Sequence, residues 1–228
     1  MKKILLLALL LMLPILIRAR KDVTIFLGIP VDGTKVEMIK KLKEKGFVYN
    51  ERYKWLEGEF NGKRVNISIG TNREKVYRIM VVDDYGSKAE EIKNRFNRLC
   101  RQFENNKKYY SLDSISDMVI PDWEDVRYEM SIHKKQYQAS FVQRPESIDT
   151  VEIAEQARKE LLEKYELDQL LAPTEEIAAE MYKSYLLKLS EVILKKSVWF
   201  TISEYGIDDY RIVLYYDNKD NEANGEDL

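Results

Sequence analysis

The sequence predicts an α+β protein in which helices pack on one side of antiparallel sheet. Three observations predict it. Short runs alternate apolar and polar residues, as in Val65, Ile67 and Ile69 against Arg64, Asn66 and Ser68, which is the period of a strand with one buried face. Two stretches carry apolar residues at helical spacing behind capping-box signals, Thr34-x-x-Glu37 and Ser87-x-x-Glu90. A strand pattern near residue 67 returns near residue 200, which suggests one helix-plus-sheet unit used twice.

In chain order, residues 23–27 predict a short strand and Gly28 to Gly33 a turn-rich connection. Thr34 opens a helix whose stripe is Met38, Ile39 and Leu42, and Gly46 stops it. Three strands follow, at 53–60, 63–69 and 75–83. Asn61-Gly62 supplies a two-residue hairpin between the first two, and the third is apolar on both faces and therefore central. Ser87 is expected to cap a second helix reaching Asn105, with Ile92, Phe96, Leu99 and Phe103 facing inward. A loop spans 109–125. Alternation at 126–132 (Val126, Tyr128, Met130 and Ile132) and at 137–142 predicts two more strands. From 148 to 195 the period becomes helical, with Pro173 ending one helix and Thr174 capping a second. Strands at 197–203 and 209–216 complete the fold, and the polar, acidic tail 217–228 is expected to be disordered.

Laying 66–84 over 199–217 places Ile69 on Ile202, Tyr77-Arg78-Ile79 on Tyr210-Arg211-Ile212 and Asp84 on Asp217. The expectation is a tandem arrangement within one domain, 20–216. One copy is helix plus three strands (20–85). The other is helix plus four strands (86–216), split by a two-helix insertion at 148–195.

Residues 1–19 read as a secretory signal peptide: Lys2 and Lys3, an apolar run from Ile4 to Ile17, then Arg18-Ala19 as the cleavage region. The run is shorter than the roughly 20 residues that span a bilayer. Cleavage near Ala19 places the protein in the periplasm or outside the cell, with no membrane span in the mature chain. It also takes the net charge from −2 to −5, which disfavours general binding to nucleic acid.

Three segments carry a resemblance: Phe26-Leu27-Gly28-Ile29-Pro30-Val31-Asp32-Gly33, Leu42-Lys43-Glu44-Lys45-Gly46-Phe47 and Leu56-Glu57-Gly58-Glu59-Phe60. Their pattern, FxGIPVDG, LKxKGF and LxGxF, resembles a family of uncharacterised exported proteins of Gram-negative bacteria, over roughly 24–110 and more loosely 197–217. That family implies no activity. The tandem helix-plus-sheet organisation is more distantly similar to β-lactamase inhibitor proteins and small outer-membrane-assembly lipoproteins, which bind other proteins. This is analogy at the level of fold.

Catalytic signals are sparse. The chain has one histidine, His133, expected at a hairpin tip, and one cysteine, Cys100, at core spacing in the second helix. No phosphate loop or nucleophile elbow is present, and no cofactor or metal site is expected. Asp113, Asp117, Asp122, Glu124 and Asp125 lack EF-hand spacing and read as an acidic solvated loop. Lys93, Arg95, Arg98, Arg101, Lys107 and Lys108 read as a solvated basic helix face.

Sorting strand residues by face puts Val65, Ile67, Ile69, Tyr77, Ile79, Val81, Val198, Phe200 and Ile202 inside. The opposite face then holds Tyr53, Trp55, Arg64, Arg78, Trp199, Arg211 and Tyr215, the composition of protein-interface hot spots. The expected function is a non-enzymatic exported protein that binds another envelope or extracellular protein there, with a glycan as a second kind of ligand. The competing class is a carboxylate-based hydrolase. Competing also with the binding surface is a covered one, in which the 148–195 helices lie across this face and make it core.

Overall fold

The computed structural model describes residues 22–223 and 225; the predicted signal peptide lies outside them. A small hairpin comes first, β1 (Ile25–Phe26) and β2 (Ile29–Pro30), turning at Leu27 and Gly28. Part of the predicted turn-rich connection is thus a strand.

Helix α1 (Lys35–Glu44) starts at the predicted capping box, with Thr34 and Glu37 satisfying each other's backbone N–H groups. The strands β3 (Val48–Asn50), β4 (Trp55–Phe60), β5 (Lys63–Asn72) and β6 (Lys75–Asp83) follow. β3 escaped the sequence reading because three residues carry no alternation; only its pairing with β4 makes it a strand.

Helix α2 (Ala89–Glu104) buries Ile92, Phe96, Leu99, Cys100 and Phe103 as expected. Its N-cap is Lys88, without a side-chain cap bond. Ser87 instead exchanges both backbone hydrogen bonds with Tyr210, at 2.8 and 2.9 Å, so the predicted second capping box is not formed. The loop region contains β7 (Tyr109–Ser111) and the short helix α3 (Ile115–Met118).

Residues 126–132 are not a strand but a helix, α4 (Val126–Ile132). Asp125 caps it by accepting from the Tyr128 N–H. The alternating pattern misled because Val126 and Met130 also lie one helical turn apart, while Tyr128 and Ile132 remain exposed. His133 consequently caps the end of α4 rather than sitting at a hairpin tip.

After β8 (Gln138–Gln143) come three helices where two were expected: α5 (Thr150–Leu161), α6 (Leu167–Leu171) and α7 (Glu175–Leu194). Thr174 caps α7 as predicted. β9 (Ser197–Gly206) and β10 (Asp209–Asp217) close the fold.

The large sheet is antiparallel throughout, in the order β3-β4-β5-β6-β10-β9-β8-β7. Two four-stranded meanders therefore meet at β6 and β10, each preceded by a helix. The pairings of the two meanders can be set side by side residue by residue. Ile67 faces Val81 as Phe200 faces Leu214, and Val82 faces Val213 where Met80 faces Tyr215. A shift of 133 positions exchanges the members of each set. The first meander has four strands where three were expected, and the helical insertion joins β8 and β9 where the tight Asn61-Gly62 turn joins β4 and β5.

One core fills the space between the sheet and α1 and α2. Met38, Leu42, Ile92, Phe96 and Leu99 meet Leu56, Ile67, Ile79, Phe200 and Ile212, all nearly or fully buried. The helix face read as basic and solvated is partly interior. Arg95 and Asp83 form a buried bidentate pair at 2.5 and 2.6 Å. The buried Lys93 donates to the carbonyl oxygens of Asp122 and Glu124. Asn97 exchanges two hydrogen bonds with the backbone of Ile120. These donors pin the 119–125 loop onto α2. Glu124 is accordingly not solvated: it accepts from Lys135 and Tyr137 while buried.

The tail also departs from expectation. Asp217 ends β10 inside the protein, and Asn218 and Asn221 are buried, donating to the carbonyl oxygens of Val31 and Val76.

Candidate functional site

Alternation along six strands places the predicted surface on the sheet face away from α1 and α2. Ser68, Met80, Tyr215, Trp199 and Ser140 stand in one row across β5, β6, β10, β9 and β8. A second row holds Glu57, Asn66, Val82, Val213, Thr201 and Gln138. The two rows differ in chemistry: an aromatic pair flanked by Met80 in the first, small and amide side chains beside the carboxylate of Glu57 in the second.

The centre of the site is built around Asp217. Its carboxylate accepts from Arg78 Nε at 2.6 Å and Nη2 at 2.8 Å, and from Trp199 Nε1 at 2.9 Å. Trp199 and Tyr215 stack with ring centroids 4.0 Å apart and planes 15° from parallel. The Arg78 guanidinium lies 5.1 Å from the Tyr215 ring centroid and 5.7 Å from that of Trp199. Hydrogen bonding to Asp217 raises the Arg78 pKa against the opposing effect of burial, so it stays cationic. Burial raises the Tyr215 hydroxyl, with Arg78 pulling it back, so this phenol stays neutral. The cluster is ordered before any ligand arrives: Arg78, Asp217 and Trp199 Nε1 are bonded to one another, and the Trp199 and Tyr215 rings stack.

Tyr53 and Trp55 form a second aromatic pair at the β4 end, with centroids 4.7 Å apart, and Arg52 lies 5.3 Å from the Tyr53 ring. Trp55 Nε1 donates to Glu57 at 3.0 Å. That bond, with one from Asn50, lowers the Glu57 pKa. Arg64 is exposed and lies 3.6 Å from Asp84. Arg211 packs its guanidinium 3.2 Å from the Tyr205 ring centroid, and its Nε is buried without a hydrogen-bond partner.

All seven predicted residues therefore stand on this side of the sheet, but not as one patch. The structure joins Arg78, Trp199 and Tyr215 in one cluster and Tyr53 with Trp55 in another, and leaves Arg64 and Arg211 toward the far end. Tyr53 is well exposed, while Trp55, Trp199 and Tyr215 are half-buried, neither free in solvent nor covered. The insertion helices pack chiefly on one another, with α7 touching β8.

Sequence reasoning missed Asp217 by assigning it to the tail. Its alignment with Asp84 was the available signal. It also placed Tyr77 inside. A bulge between Gly70 and Thr71 resets the alternation, so Val76 takes the interior and Tyr77 turns out beside Arg78. Gly70 makes room, since a Cβ there would lie 3.1 Å from the Tyr77 ring.

Elsewhere, the buried Cys100 thiol is pushed up to about 12 by burial and stays protonated. No group of three or more His, Cys, Asp or Glu side chains able to hold a metal ion occurs among the described residues. No described helix is long and apolar enough to cross a membrane. No family model, curated protein or solved structure matches the chain.

Proposed function

We propose that this is an exported binding protein whose sheet face, centred on Arg78, Trp199, Tyr215 and Asp217, recognises another protein of the envelope or extracellular space. One observation carries the reading: a preordered aromatic–arginine cluster lies on the sheet face that α1 and α2 leave uncovered. A sheet face that only needed solvation would not require stacked Trp and Tyr around a bidentate Arg–Asp pair. Rigid aromatic and Arg side chains give up little conformational entropy on binding, which suits them to anchor an interface. The in-register echo supports reading the chain as a tandem duplication that widens one sheet into a broad platform. The leader pattern at residues 1–19 supports export with cleavage near Ala19.

The competing hydrolase needs a carboxyl held protonated as general acid. On this sheet face Glu57 is instead held below the usual carboxylate range by hydrogen bonds from Trp55 and Asn50, which suits an anion rather than a general acid.

The test places a photo-crosslinking amino acid at Ser68, Ser140 or Thr201, and at the exposed Val36 on α1 as control, in cells that export the protein. The expected result is a discrete adduct from the sheet positions alone, lost in Trp199→Ala. Adducts of equal yield from Val36, or none from the sheet, overturn the reading. Amino-terminal sequencing of the exported chain tests the leader, with Arg20 expected first.

A further inference from the structure

The insertion helices enclose a cavity of their own, apart from the open sheet face. It measures about 420 Å³, and α5, α6 and α7 each supply part of its wall. The sequence makes the space. Ala154 and Ala157 lie about one turn apart on α5, where larger side chains would fill the gap toward Met181 and Tyr185 of α7. Leu161 and Leu170, two of the three buried residues in the insertion's small core, close the bottom. Polar ties fix the walls. Lys188 of α7 reaches Glu160 of α5 at 2.5 Å, and Tyr165, in the loop after α5, donates to Glu180 of α7 at 2.5 Å. A mostly apolar cavity of this size is the ordinary setting for a small organic ligand.

One side chain sets the ligand's charge. Arg158 is the single charged residue lining the cavity among the described residues. Its guanidinium makes no ion pair and no hydrogen bond there, whereas the lysines on the same helices are taken: Lys164 by Glu180 and Lys188 by Glu160. An arginine left free at an apolar wall selects an apolar body that carries one anionic group, because the planar fork pairs with a carboxylate and repels a cation. We propose that the insertion binds a small amphipathic acid, a single alkyl chain with a carboxylate head. The chain lies against Leu161, Leu170 and Met181, and the head sits on Arg158. This site is separate from the sheet face and does not rest on what that face recognises.

Isothermal titration calorimetry of the exported chain with decanoate, kept below its micelle concentration, tests the proposal. The expected result is saturable binding at a single site with a negative heat-capacity change, the mark of apolar burial. Decanol should bind more weakly and decylammonium more weakly still. Arg158→Gln should weaken decanoate by about tenfold and leave decanol unchanged, since only the charged head uses the guanidinium. Ala154→Phe fills the cavity from an exposed position and should abolish binding of both, with circular dichroism unchanged. Trp199→Ala should leave decanoate binding intact, which keeps this result separate from the sheet-face reading. No binding of decanoate overturns the proposal. So does binding that survives Ala154→Phe, an affinity for decanoate that Arg158→Gln does not change, or association with phosphatidylglycerol vesicles in place of the monomeric acid.

Discussion

Removing the charge of Asp217 should loosen the sheet face from its centre. Asp217 is 1% exposed and Arg78 25%, so Asp217→Asn leaves an arginine largely out of water with one neutral acceptor in place of a bidentate carboxylate. Breaking a fully buried pair from one side costs about 3–5 kcal/mol. The partial exposure of Arg78, and Glu222 at 3.7 Å, offer a fallback. The expected loss is therefore about 2–3 kcal/mol at neutral pH. Asp217→Ala also orphans Trp199 Nε1 and should cost about 1 kcal/mol more. Urea unfolding followed by circular dichroism gives the stability, and tryptophan emission reports the Trp199 environment. The double variant Arg78→Met with Asp217→Asn should recover much of the loss, because it removes the unpaired cation along with its partner. A loss under about 0.5 kcal/mol, or simple additivity of the two substitutions, would refute the argument that the pair is coupled.

Two further outcomes rest on single geometries. Burial pushes the Glu124 carboxyl up, but hydrogen bonds from Lys135 and Tyr137 and the charges of Lys135 and Lys93 outweigh it and hold the pKa below 4.5. Its stabilisation is then full above the unfolded-state value and is lost as pH falls through the lowered folded value, so Glu124→Gln should flatten the acid limb of a stability–pH curve and destabilise more at pH 7 than at pH 3. On β4, a Cβ at Gly58 would lie 2.4 Å from Cδ1 of the buried Phe47. Gly58→Ala should cost about 1–3 kcal/mol in thermal or urea unfolding, and Phe47→Leu in the same chain should return part of it.

Local chemistry made many elements readable. The Thr34 capping box, the Asn61-Gly62 hairpin, the span of β6 and the Thr174 cap each depend on neighbours within a few residues. Period-2 alternation likewise assigned six of the seven surface residues to one side, because side-chain direction in a strand is fixed by position; Tyr53 lies in the turn before β4, not in the predicted strand, and joins this side by stacking on Trp55. Where the same letters fit two periods, as at 126–132, the Asp125 cap decided for helix.

The remainder depended on partners distant in the chain. β3 and β7 are strands only because β4 and β8 offer them backbone hydrogen bonds. Lys93 and Arg95 look like surface charges until the 119–125 loop and Asp83 supply acceptors that make their burial tolerable. Asp217 read as an acidic tail residue, and only the pairing of β10 with β6 brought it opposite Arg78. The sequence by itself determined most of the residues on the open face, since alternation is local, and failed at Tyr77, where a bulge resets it. The tertiary structure alone decided which of them form a cluster, because strand order and register join residues more than a hundred positions apart.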